Sequence, residues 1–163
     1  MSMNRDQRDA LLVRYRDGAA EFAAAVADVS ASELDAHPTE GEWSIREIAH
    51  HLADGELTSA VRLRRLIAED DAAILGYDER SFTDRLHATE RSIASSVGAA
   101  AAARASTLSI LEHLTEDEWN RTGSHSESGA YGVERWLAIY AEHPWEHADQ
   151  VRRVLAAVRG GAG

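Results

Sequence analysis

The chain has 163 residues, 44% of them hydrophobic, which suits one domain with a sizeable core and does not fit a disordered or fibrous chain. Its formal net charge is −11 and every basic residue is Arg; a field of that sign disfavours nucleic-acid phosphates and anionic membrane surfaces as partners. The absence of cysteine excludes disulfides, thiolate zinc sites and a cysteine nucleophile, and no apolar run of about 18 residues or basic-then-apolar N-terminus is seen, so a cytoplasmic protein is expected.

Residues 4 to 29 read as a first helix, because Leu11, Leu12, Tyr15, Ala19, Phe22, Ala23 and Val26 recur at helical spacing. A short cap or turn follows at Ser30 to Leu34, and His37-Pro38 breaks the chain away from helix. Ser44 with Glu47 three residues on is a capping box, with Trp43 before it as a staple. A second helix therefore opens there and runs to about Ala68, with Ile45, Ile48, Leu52, Val61, Leu66 and Ile67 as its apolar positions. Residues 69 to 88 are polar and lack a clean period, which predicts a long connection holding one short helical turn. A third helix is expected from about Thr89 to Leu114; its small residues Ala99 to Ala103 admit close approach by another helix, within the domain or across a homodimer. Thr115 to Glu118 is a second capping box, predicting a short turn through Trp119. Residues 121 to 131 are loop by composition and suit a small hairpin. The fourth helix is expected from about Val133 to Ala157, and no run reads as a convincing strand. Four such stripes are buried by an all-α four-helix bundle, a single domain over residues 1–163 with its long connection between the second and third helices.

The most informative stretch is His143-Pro144-Trp145-Glu146-His147 in the fourth helix. Residues four apart point the same way, one turn above the other, which is the spacing for gripping one ion with two imidazoles. Both histidines fall on the stripe marked by Val133, Trp136, Leu137, Tyr140, Val151, Leu155 and Val158, where a solvated pair is not expected. A single inward histidine is most often a core residue satisfied by a carboxylate or carbonyl, and two ligands do not make a site, so a third must come from elsewhere. The second helix offers His50 and His51, about 100° apart on its surface. One suits a ligand and the other a more exposed position; periodicity leaves open which. His37, His87 and His125 read as loop residues, and His113 as a partner of its helix's last carbonyls. Three neutral imidazoles leave coordination positions open, the catalytic pattern, and without cysteine they suit zinc, nickel, copper or iron about equally. Gln150, Glu47, Asp54 and Tyr140 lie one helical turn from a candidate ligand and are placed to orient it. Pro144 removes the hydrogen bond to the Tyr140 carbonyl, so a kink is expected beside the first ligand.

Trp43-Ser-Ile-Arg-Glu-Ile-Ala-His-His-Leu-Ala-Asp54, followed by His143-x-x-x-His147-x-x-Gln150, resembles the DinB/YfiT-like superfamily, and in particular its YfiT-like branch. Gly76-Tyr77-Asp78-Glu79 and Ser126-Glu127-Ser128-Gly129 agree with that branch, and the resemblance spans roughly residues 20 to 155. It implies a four-helix bundle holding one divalent metal ion, usually zinc or nickel, on His51, His143 and His147, with His50 a neighbour. It also implies transfer of a low-molecular-weight thiol, such as bacillithiol or mycothiol, to a small electrophile, or else hydrolysis, by a homodimer. In such an enzyme Asp54 is the expected proton acceptor. A non-catalytic metal- or small-molecule-binding stress protein is the alternative from another class. A metal-free structural bundle is the third.

Overall fold

The computed structural model describes residues 3–161. In chain order its elements are α1 (Arg5–Val26), α2 (Ala31–Leu34), α3 (Ile45–Ala68), β1 (Ala73–Ile74), α4 (Glu79–Arg85), α5 (Ile93–Leu111), α6 (Glu116–Trp119), β2 (Thr122–His125), β3 (Gly129–Gly132) and α7 (Val133–Gly160). Helix starts follow local chemistry. Asn4 with Gln7, Ser30 with Glu33, Ser44 with Glu47 and Thr115 with Glu118 each form a reciprocal capping box that satisfies otherwise unpaired amides.

The four long helices α1, α3, α5 and α7 make a bundle. α1 packs on α7 and α5, and α3 packs on the same two, so the consecutive long helices α1 and α3 stand across a diagonal. The connection between α3 and α5 holds the short helix α4, as its composition suggests. Of the α5 alanine run, Ala100 is buried while Ala101 and Ala102 are exposed. Among the described residues no helix is long and apolar enough to cross a membrane.

The core falls into two clusters. One joins Tyr15, Leu63, Leu66, Trp136 and Leu137; the other joins Phe22, Ile45, Ile48, Leu52, Ala148 and Val151. Between them α3 contributes Gly55 and Glu56, and α7 contributes His143 and His147. A polar layer thus interrupts the apolar seam at mid-height, and the site lies there. Val61, expected to face the core, is 58% exposed; the seam instead runs through Ser59, Ala60 and Leu63.

A three-stranded sheet is present although no run of the sequence reads as a convincing strand. β2 and β3 form the hairpin that residues 121 to 131 suggest, paired antiparallel from Thr122↔Gly132 to His125↔Gly129. β1 joins parallel to β2, with Ala73 opposite Ser124 and Ile74 opposite His125. Strands of two to four residues are too short to display a period, so composition could not reveal them. Gly123 is required at this junction: a Cβ there would stand 2.3 Å from the Ala72 carbonyl oxygen.

Candidate metal centre

α3 and α7 bring together the three histidines that the sequence singles out. His51, His143 and His147 each present one ring nitrogen, all within 4.8 Å of one another, and could hold a metal ion. The rings meet edge to face, with centroids 4.8 Å apart for His51–His147 and 4.7 Å for His143–His147. Two of them are oriented from behind. Nδ1 of His147 lies 2.8 Å from Gln150 Oε1, and Nδ1 of His143 lies 3.1 Å from Glu56 Oε1. Both partners are acceptors, so each ring donates from Nδ1 and leaves Nε2 free as a lone-pair ligand. Burial, then His147 and His143, push His51 down to about 3; burial first and His143 next push His147 down to about 4. Both rings are therefore neutral at pH 7, as ligation demands. Trp43 covers His51, ring to ring at 4.5 Å.

Glu56 and Arg104 escaped the sequence reading. Glu56 is 1% exposed, and its Oε1 accepts from Arg104 Nη1 at 2.8 Å as well as from His143. The same Arg104 nitrogen donates to the Tyr140 carbonyl at 3.0 Å, the acceptor that Pro144 deprives of its helical partner. Arg104 also donates to the Tyr15 carbonyl, and its guanidinium lies 3.8 Å over the Tyr15 ring. α7 is continuous through Pro144, with the missing amide replaced by an arginine from α5 that also fixes the carboxylate behind His143. A signal was available. Glu56 sits on the stripe between Leu52 and Leu63, and Arg104 between Ala100 and Leu111, so each is a charge on a buried face.

The other expected residues divide. His50 is buried, not exposed: its Nδ1 lies 2.8 Å from Ser96 Oγ, so it ties α3 to α5 while its neighbour His51 faces α7. Glu47 does not orient a ligand, because its carboxylate accepts from the Ser44 amide at 2.7 Å and lies 2.8 Å from His37 Nε2. Tyr140 presents its ring edge to His143 at 5.7 Å, and its hydroxyl accepts from Arg62 at 2.9 Å. Asp54 is half-buried, with Arg91 Nη1 at 3.9 Å, and burial raises its carboxyl above the ordinary range although Arg91 opposes this. His37 and His87 are exposed, and His113 caps Ser109 O at 2.8 Å. His125 is buried at the end of β2, against Tyr131.

The rim comes from the long connection. Gly76 N donates to Ser126 Oγ at 2.9 Å and Ser126 N to the Ile74 carbonyl at 2.9 Å, which binds residues 76–79 to the hairpin. That anchoring puts Glu79 Oε2 3.9 Å from His51 Nε2. It also brings the Tyr77 hydroxyl to 3.6 Å from where a Cβ on Gly55 would stand. Gly55 itself makes room for the metal centre, since that Cβ would lie 2.8 Å from His143 Cε1. A cleft of about 570 Å³ is lined by Trp43 and Gln150, the side chains that touch His51 and His147, though not by the histidines themselves. A larger open cavity, about 1090 Å³, lies between α1, β3 and the start of α7; it is lined by none of the triad, Glu56, Trp43 or Gln150, so it is apart from this centre.

A model of the DinB superfamily matches residues 14–151. The chain belongs to that superfamily. A protein of Oceanobacillus iheyensis with the name metal-dependent hydrolase OB0782 is 31% identical over 126 residues, 77% of this chain and 73% of its own. YfiT from Bacillus subtilis, whose structure is described as a probable metal-dependent hydrolase with an unusual four-helix bundle topology, is 24% identical. Its structure superposes with a TM-score of 0.90 over 98% of this chain and 91% of that one. A mycothiol-dependent maleylpyruvate isomerase shares the fold at a TM-score of 0.71 and 14% identity, over 88% of this chain and 60% of its own.

Proposed function

We propose that this DinB-superfamily protein is a metal-dependent enzyme of the cytoplasm in which His51, His143 and His147 hold one divalent ion, zinc or nickel. Its reaction in this reading is the transfer of a low-molecular-weight thiol to a small electrophile. One observation carries the metal reading: three convergent imidazoles, two of them kept neutral by burial and two locked by Nδ1 hydrogen bonds. That donor set fits a divalent ion and leaves positions open for a ligand. Such an ion lowers the pKa of a bound thiol or water and so supplies a nucleophile at neutral pH.

The chain's own groups would do the rest. Asp54, its carboxyl raised by burial, accepts the proton released from the thiol. Glu79 is a further carboxylate for this role, its Oε2 3.9 Å from His51 Nε2. Trp43 shields His51 from water. With no cysteine in the chain, the thiol in this reading comes from a substrate. The dependence on mycothiol in the name of the isomerase supports the same reading for this fold.

Hydrolysis is the second reading, favoured by the names of the sequence relatives. Metal content by elemental mass spectrometry, for wild type and His147→Ala, is the first test. About one zinc or nickel per chain, lost in the variant, supports the centre; no uptake of either ion by the wild type overturns it. Consumption of thiol with a model electrophile, against cleavage of an ester or amide without thiol, then separates the two reactions.

A further inference from the structure

We propose that the cleft beside the triad is a subsite for an oxyanion, a carboxylate or phosphate group, read by Arg80 and Arg153. That this oxyanion belongs to the substrate rests on the enzyme reading above; the anion site itself does not.

Charge is the first observation. The chain carries a net −11, yet the charged lining of the cleft is Arg80, Arg153 and one acid, Glu42. The sign is locally reversed. The other arginines near the end of α7 are neutralised: Arg152 pairs with Glu21 and with Asp149 at 2.9 Å, and Arg159 pairs with Glu33 at 2.7 Å. Arg153, among the described residues, has neither an ion pair nor a hydrogen-bond partner. Arg80 has only Asp84 at 3.0 Å, in an i,i+4 pair with both side chains more than half exposed. Such a pair contributes little and exchanges readily for a better acceptor. Two guanidinium forks then remain for an oxyanion, which they bind with planar, two-point geometry.

Position is the second. The cleft is about 570 Å³, within the size of small-molecule sites. Two of its walls are the triad's own supports: Trp43 packs on His51, and Gln150 holds His147. Arg80 follows Glu79, which reaches His51. A ligand held here by its anionic end therefore rests against the side chains that support His51 and His147. The whole-chain field repels anions, so an unneutralised Arg153 at this place supplies a local attraction.

The test uses full-length, ¹⁵N-labelled protein stripped of metal, with the chelator removed, at low ionic strength. Metal-free protein prevents an anion from reporting by coordination to an ion. It also makes the result independent of whether the triad binds one. Succinate, inorganic phosphate and neutral succinamide are titrated while the Trp43 indole N–H resonance is followed. We expect succinate or phosphate to shift it and succinamide not to, with affinity falling about tenfold or more in Arg153→Ala and again in Arg80→Ala, as for loss of a charge-assisted hydrogen bond. The anion that works identifies carboxylate or phosphate as the ligand. Unchanged thermal midpoints show that these exposed substitutions leave the fold intact. No shift with either anion, or equal affinity in the double variant, overturns the proposal. Zinc uptake by the same variants, followed separately, reports on the metal reading alone.

Discussion

Glu56 is buried without a solvent path, and it bridges a guanidinium and an imidazole through one oxygen. Desolvating such an ion pair costs several kcal/mol per charge, and an apolar pair of similar size would stabilise the core at least as well. Its value lies in fixing His143, whose Nδ1–H it anchors. Glu56→Gln should weaken zinc binding by about 10- to 100-fold, as for other groups that orient a ligand. It should also cost about 3 kcal/mol of stability, because Arg104 is left buried without its counter-charge. Competition with a chromophoric chelator measures the first effect and urea denaturation the second. Gly55→Ala separates the two properties. Its Cβ would stand 2.8 Å from His143 Cε1, so the ring must move, yet alanine favours a helix over glycine by about 1 kcal/mol. We expect weaker zinc binding with stability unchanged or slightly higher; unaltered affinity would show that His143 tolerates displacement.

Among the elements, α7 carries the heaviest constraint. Pro144 in a helix interior costs about 3 kcal/mol when its freed carbonyl is left alone, but here Arg104 donates to that carbonyl. Removing the donor in Arg104→Met should therefore destabilise the bundle and weaken zinc binding together, since one side chain serves both the Tyr140 carbonyl and Glu56. The small sheet has a different task. It tethers the α3–α5 connection so that Tyr77 and Glu79 edge the triad. Gly123→Ala, with its Cβ 2.3 Å from the Ala72 carbonyl, should lower stability by about 1–3 kcal/mol, the usual cost of overpacking. Thermal denaturation of the purified variant checks it.

For the molecule as a whole, ligand and proton linkage make the centre visible in stability. If the triad binds zinc, free ion at a hundredfold excess over Kd should stabilise the fold by about 2.7 kcal/mol, and His147→Ala should abolish the increment. Acid should act oppositely. Burial holds His51 and His147 at about 3 and 4 in the folded chain, against an ordinary 6.5. Below pH 6.5 the unfolded chain therefore binds protons that the folded chain refuses. The stability is fully present above that pH and is lost as pH falls toward 4. Asp54, raised by burial, works weakly the other way. Urea midpoints of metal-free protein between pH 7.5 and 5 should fall in wild type and fall less in His147→Leu.

The sequence by itself determined the bundle and the histidine pair of the last helix. Four stretches of helical spacing, the second opening on the Ser44 capping box, carry their own periodicity, and the pair His143 and His147 is a local pattern that one helix displays entire. Gln150 was legible for the same reason, because it lies within a turn of His147 on the same helix. The distribution of His50 and His51 followed from resemblance alone; periodicity could not assign them, since the choice depends on whether α5 or α7 lies against each face. Arg104, Glu56 and the Tyr140 carbonyl come from three helices and meet only when the bundle closes. The sheet was hidden likewise: β1 pairs with a strand some 50 residues on, and two residues hold no period. Patterns within one element are written along the chain; contacts between elements are decided by packing, because a buried charge finds its partner in space rather than in sequence.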